Sequence, residues 1–84
     1  MPSEDEIASE IARLFAQELE VPDVGLDTHF IFTGGDSMNA ESLMVAVSEA
    51  FGIRLKTAVL LDAPTPRELA EVVSKKLAAK GLSE

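Results

Sequence analysis

Apolar residues fall at helical spacing in three stretches of the chain. In the first, Ile7, Ile11, Leu14 and Leu19, with Phe15 beside them, share one face of a 3.6-residue repeat. The second places Ala40, Leu43, Met44, Val47 and Phe51 inward, and the third Leu69, Val72, Val73 and Leu77. Each stretch carries punctuation. Ser3 and Glu6 have the spacing of a capping box, in which serine and glutamate exchange hydrogen bonds with each other's backbone. Val21-Pro22 predicts the end of the first helix, because a residue before proline avoids the α region. Asp36 is placed to cap the second helix and Gly52 to end it. Thr65-Pro66-Arg67-Glu68 supplies a cap, a proline suited to the first helical position and a closing glutamate, and Gly81 predicts the stop. Lys75, Lys76 and Lys80 fall near that helix's negative end, where cations are favoured.

The expected architecture is an all-α bundle in a single domain, residues 1–84. Helices are predicted over about 4–20, 37–51 and 66–80. A long connection, 21–36, is anchored by Leu26, Phe30, Ile31 and Phe32 and expected to pack across the bundle. Thr57-Ala58-Val59-Leu60-Leu61 fits either a strand or a short helical turn, and Pro64 with its helical neighbours favours the turn. The predicted core is Ile7, Ile11, Leu14, Phe30, Leu43, Val47, Phe51, Leu69, Val72 and Leu77.

Charge narrows the choice of partners. The chain has a formal net charge of −8, placed unevenly. Residues 1–52 hold eleven acidic groups against Arg13 alone, whereas residues 53–84 hold six basic and four acidic groups. Nucleic acid calls for a basic footprint, so an acidic surface argues against it and suits a basic protein partner. The absence of cysteine rules out disulfides and thiolate metal sites. No apolar run approaches the ~18 residues of a membrane span. The N-terminus lacks the basic and apolar parts of a signal peptide, so a cytoplasmic protein is expected.

Little of the sequence carries chemistry. The run Phe32-Thr33-Gly34-Gly35-Asp36-Ser37-Met38 takes a flexible turn into the second helix and sets Ser37 on its first turn, open to an approaching protein. Gly34 and Gly35 match neither phosphate-binding glycine pattern and are read as giving steric access. A Ser37–His29–Asp triad is conceivable, but so short a chain leaves little to build an oxyanion hole. His29 reads as a loop residue. No calcium-loop or zinc-ligand spacing occurs. Taken by position alone, Ser37 could simply satisfy backbone groups at a helix start.

Gly34-Gly35-Asp36-Ser37-Met38 resembles the attachment signature of acyl and peptidyl carrier proteins, the double glycine being closer to the peptidyl and aryl variant. Asp27-Thr28-His29-Phe30, Phe51-Gly52-Ile53-Arg54-Leu55 and Ala63-Pro64-Thr65-Pro66-Arg67-Glu68-Leu69-Ala70 resemble other family landmarks in the same order. Thr33, Met38 and Glu41 depart from the family's usual apolar residues. The resemblance implies a short third helix near 57–61, completing a four-helix carrier-protein-like bundle. It also implies a 4′-phosphopantetheine arm on Ser37, transferred from coenzyme A by a magnesium-dependent phosphopantetheinyl transferase, with Asp36, Gly35 and Gly34 as flanking recognition. Such a carrier does no catalysis and holds no metal. It would present acyl or aminoacyl thioesters to loading enzymes and downstream synthases of fatty-acid-like, polyketide or nonribosomal peptide biosynthesis. Met38, Glu41 and Val45 lie at +1, +4 and +8 from Ser37, on the same broad side of the helix, and are the expected partner contacts. The Met1 start and the single acidic domain suggest a free-standing monomer. The alternative is an acidic helical interaction module whose Ser37 stays unmodified.

Overall fold

A computed structural model describes residues 3–82; the ends of the predicted domain, residues 1–2 and 83–84, lie outside them. Four helices follow in order: α1 (Glu4–Leu19), α2 (Ser37–Phe51), α3 (Val59–Asp62) and α4 (Pro66–Leu82). No strand occurs among the described residues, so the fold is the all-α bundle expected. None of these helices is long and apolar enough to cross a membrane.

The helix ends show which local signals act. Ser3 Oγ accepts from the Glu6 N–H at 3.2 Å, and the Glu6 carboxylate accepts from the Ser3 N–H at 3.2 Å, closing the box. The end of α1 differs from expectation. Glu20 already adopts the left-handed conformation (φ 55°), ahead of the Val21-Pro22 signal, and its N–H returns to the carbonyls of Ala16 and Gln17. The segment before α3 starts as tight turns: Val59, Leu60 and Leu61 each donate to the carbonyl three residues back. That lead-in delays the α-helix to Val59, later than the expected 57–61. At the other end, α4 is helical through Leu82, so Gly81 lies within the helix instead of stopping it.

The core forms where α1 packs against α4 and, less extensively, α2. Ile7, Ile11, Leu14, Phe15, Leu43, Val47 and Leu69 are buried, as is Phe30 from the long connection. Three expected core positions are only partly buried: Phe51, Val72 and Leu77 pack around the cluster. On α4 the inward stripe is Leu69, Ala70 and Val73, so Val72 turns to the rim. Lys80 also departs from the simple picture. Its Nζ donates to the carbonyl of Gly52 at 2.7 Å and so serves the negative end of α2 as well as its own helix.

The connection between α1 and α2 is held at Leu26, Asp27 and Phe30. Phe30 inserts edge-on against Phe15, with ring centroids 5.3 Å apart. Its N–H donates to the Pro64 carbonyl at 2.9 Å, and the Arg67 N–H donates to the Leu26 carbonyl at 2.9 Å. The Arg67 guanidinium also grips Asp27 through two hydrogen bonds, of 2.8 and 3.2 Å. Together these tie the connection to the start of α4. Ile31 and Phe32 do not join it: they are 44% and 85% exposed, contrary to their expected role as anchors. Chain direction explains the split. Once Phe30 points into the core, the turn that follows carries its neighbours outward.

Candidate functional site: the approach to Ser37

Residues 29–35 form a compact turn around the buried Phe30. The N–H groups of Thr33, Gly34 and Gly35 donate to the carbonyls of His29, Ile31 and Phe30 at 3.0–3.1 Å. Gly34 takes φ +104°, a conformation that side chains rarely adopt, with open space around it. Gly35 is constrained differently. A Cβ there would overlap three carbons of the Phe30 ring. The glycines are thus required by backbone conformation and by packing, and not only by access for another protein.

Asp36 then caps α2. Its carboxylate accepts from the Asn39 N–H at 2.9 Å, while Asn39 Oδ1 accepts from the Asp36 N–H at 3.3 Å. The box therefore closes on asparagine instead of the commoner glutamate or glutamine. Asn39 Nδ2 further donates to Glu18 Oε2 of α1 at 2.9 Å. Sequence reasoning missed Asn39. The Asp36-x-x-Asn39 spacing was visible, but the partner on α1 lies 21 residues away.

Ser37 is the first residue of α2 and is exposed. Among the described residues no side chain hydrogen-bonds its Oγ. His29 is directed elsewhere: Nδ1 accepts from the N–H groups of Ile31 and Phe32 at 3.2 and 3.4 Å, and its ring stacks on Phe32 at 4.1 Å. The Asp36 carboxylate is engaged by its cap. The Ser–His–Asp arrangement is therefore not assembled, and among the described residues nothing activates the hydroxyl.

Beside Ser37 lies a shallow apolar cavity of about 370 Å³, lined by Ile31, Ala40, Thr57, Ala58, Leu60 and Leu61 together with Asp36. Leu61 is 74% exposed at its edge and was not among the expected contact residues. Of those expected, Glu41 and Val45 line a second groove running along α2 towards Lys56 and Val59. Met38 lines neither cavity and projects into solvent, 78% exposed. The structure thus brings Glu41 and Val45 together and leaves Met38 apart.

Residues 9–73 match the model of the phosphopantetheine attachment site. The chain belongs to this family. It is a carrier protein, whose covalent cofactor is 4′-phosphopantetheine and whose cargo is held as a thioester. By sequence the carrier is 44% identical over 62 residues to a probable non-canonical nonribosomal peptide synthetase of Salinispora arenicola. That match covers 74% of this chain and 1% of the synthetase. The carrier spans only 1–2% of the length of curated synthetases that it matches. By structure it is similar to BlmI, a type-II acyl carrier protein from Streptomyces verticillus involved in bleomycin biosynthesis, with a TM-score of 0.84 and 27% identity. The superposition covers 88% of this chain and 89% of BlmI. A free-standing peptidyl carrier protein of Acinetobacter baumannii gives a TM-score of 0.82 and 27% identity, over 89% and 96% of the two chains.

The residues present fit the cofactor. An exposed serine hydroxyl with no partner leaves room for a phosphate ester. Asp36 takes up the N–H of Asn39 and its carbonyl that of Ala40, so the Ser37 and Met38 N–H groups remain as orphan donors at the helix start. The apolar cavity next to it offers surface to an arm or its cargo.

Proposed function

We propose that Ser37 carries the arm, and that the protein serves as a non-catalytic carrier of aminoacyl or acyl intermediates in nonribosomal peptide or related assembly. The observation behind this is the Ser37 hydroxyl itself: exposed, without a side-chain partner, at the first position of α2, behind Gly34-Gly35-Asp36. The helix terminus stabilises an exposed anion by only about 0.3–1 kcal/mol. That is too little to make a serine nucleophilic, and among the described residues no base stands beside it, so activation comes from a phosphopantetheinyl transferase. The Oγ forms a bond to the phosphorus of the arm as that phosphorus leaves the nucleotide half of coenzyme A. The serine proton passes to a base on the transferase.

The nonribosomal peptide setting is supported by the synthetase segments that this chain resembles and by the double glycine. The partners are then the transferase, an enzyme that loads the thiol and the synthases that use the thioester. Tethering raises the effective concentration of the intermediate at each of their active sites. Asp36, Gly35 and Gly34 present the serine; Met38, Glu41 and Val45 contribute to docking. The likeness to a free-standing peptidyl carrier supports a separate chain, and the acidic, cysteine-free composition suits the cytoplasm.

The test is intact mass after incubation with coenzyme A, magnesium and a broad-specificity transferase. The parent gains one phosphopantetheine. Ser37→Ala, which removes a hydroxyl with no structural partner, folds normally and gains none. A modified alanine variant would move the attachment to another residue, and an unmodified parent would favour a plain interaction module.

A further inference from the structure

We propose that Asn39 is a positioning residue for the modification of Ser37, acting with Glu18 as a bracket between α1 and the start of α2. The proposal rests on Ser37 being the attachment site. Three hydrogen bonds converge on the side chain and backbone of Asn39. Its N–H reaches the Asp36 carboxylate at 2.9 Å, its Oδ1 receives the Asp36 N–H at 3.3 Å, and its Nδ2 reaches Glu18 Oε2 at 2.9 Å. The first two span Ser37, since Asp36 precedes it and Asn39 closes the turn. The third ties that turn to a different helix.

Only an amide does all of this. Aspartate at 39 would lack the donor and set a third carboxylate beside Glu18 and Asp36; an aliphatic residue would lose both side-chain bonds. The amide has one workable orientation, because a flip would aim its NH2 at the Asp36 N–H and its oxygen at the Glu18 carboxylate. Glu18 is also poorly placed for its own helix. It lies in the last turn of α1, which carries no basic residue, where the dipole disfavours an anion. A partly buried donor from α2 gives that carboxylate a reason to be there.

The bracket touches neither the hydroxyl nor an incoming group. Its effect is on the direction in which Ser37 leaves the helix start. In a transferase complex the attacking oxygen has to meet phosphorus in line, and errors of about 1 Å cost up to ~100-fold in rate. The bracket therefore governs turnover more than binding.

The test combines kinetics with amide exchange on the whole chain. In transferase assays with coenzyme A, Asn39→Ala lowers kcat roughly ten-fold with the KM for the carrier nearly unchanged. Glu18→Ala lowers kcat several-fold, Glu18→Gln, which keeps the acceptor, stays near the parent, and the double alanine variant is no slower than Asn39→Ala alone. By NMR, Glu18→Ala speeds exchange of the Asp36 N–H and shifts the Ser37 amide, although residue 18 lies on another helix; Glu18→Gln does neither. Parental kcat in both alanine variants, a loss confined to KM, or a Glu18→Gln variant as slow as Glu18→Ala overturns the proposal. Should Asn39→Ala fail to fold, the two Glu18 variants decide. If the parent takes no arm, the attachment reading fails and the positioning role with it, while the exchange data still report whether the bracket forms.

Discussion

The ring of Phe30 occupies the space that any side chain on Gly35 would require. The two are also joined along the backbone, the Gly35 N–H donating to the Phe30 carbonyl at 3.0 Å. Phe30 is fully buried against Phe15, so the loop leading to Ser37 is referenced to the core through this pair. Gly35→Ala is expected to push the ring from its seat and cost about 1–3 kcal/mol, the usual range for overpacking a well-filled site. Urea denaturation measures it. A variant within half a kcal/mol of the parent would mean that the ring moves aside freely and that the loop is not held this way.

Several of these features were legible in the sequence because they depend on neighbours. Helical periodicity and the box at Ser3-Glu6 are local patterns; of the box expected at Thr65-Glu68 one half forms, Thr65 Oγ1 accepting the Glu68 N–H at 3.2 Å, while the Glu68 carboxylate accepts from the Thr65 hydroxyl at 3.0 Å. The start of α2 at Ser37 follows from Asp36 in the same way. Tertiary contacts decided the rest. Val72 and Val73 are equivalent by hydrophobicity, and the approach of α1 selects Val73. Phe30, Ile31 and Phe32 are three consecutive apolar residues, and nothing local says that only the first goes inward. The reach of Asn39 to Glu18 and the cavity edge at Leu61 are likewise products of assembly. The chemistry proposed for Ser37 is legible only through family resemblance, because no activating group stands beside it among the described residues.

Glu20 offers a stabilising substitution. It is the one described non-glycine residue with positive φ, at the C-terminus of α1, where glycine is the usual occupant. A left-handed residue with a Cβ costs roughly 1–2 kcal/mol, partly offset in a glycine variant by greater freedom of the unfolded chain. Removing the carboxylate from the negative helix end adds a further ~0.3–1 kcal/mol at low salt. Glu20→Gly is therefore expected to raise stability by about 0.5–1.5 kcal/mol. A raised urea midpoint at unchanged slope would show it; a lowered midpoint would mean that Glu20 makes a compensating interaction.

The Asp27–Arg67 pair gives the loop a pH-dependent fastening. Hydrogen bonding to the guanidinium is the largest influence on Asp27 and holds its carboxyl below the ordinary aspartate value. A carboxyl lowered in the folded state adds stability above its unfolded pKa of about 3.9 and loses it as pH falls through the lower folded value. Asp27→Asn is accordingly expected to be slightly less stable than the parent at neutral pH, and the gap should close on acidification below about pH 4. Both groups are exposed, so the gap is small and shrinks with added salt. Parallel stability curves from pH 7 to pH 2 would show that the pair contributes nothing.

Recognition of the carrier is expected to divide between charge and apolar contact. Glu41 lies one turn from Ser37 in the half of the chain where acidic residues outnumber basic ones, and exposed charges act over about 8 Å at physiological salt. Glu41→Gln is expected to slow association with the transferase at low salt and to matter little at high salt, since charge steers the encounter. Met38 and Leu61 are large, exposed apolar side chains near the serine, Met38 beside it in sequence and Leu61 at the rim of the cavity that Ser37 helps to line. Desolvated contact resists separation, so Met38→Ala and Leu61→Ala are each expected to speed dissociation at either salt concentration. Stopped-flow binding separates the two effects. If only Leu61→Ala releases faster, the partner grips the cavity between α2 and α3, and Met38 is a solvated neighbour. If only Met38→Ala does, contact is confined to the outer face of α2. Parental rates in both would move the docking surface to the 29–35 turn, where Phe32 is the most exposed aromatic residue.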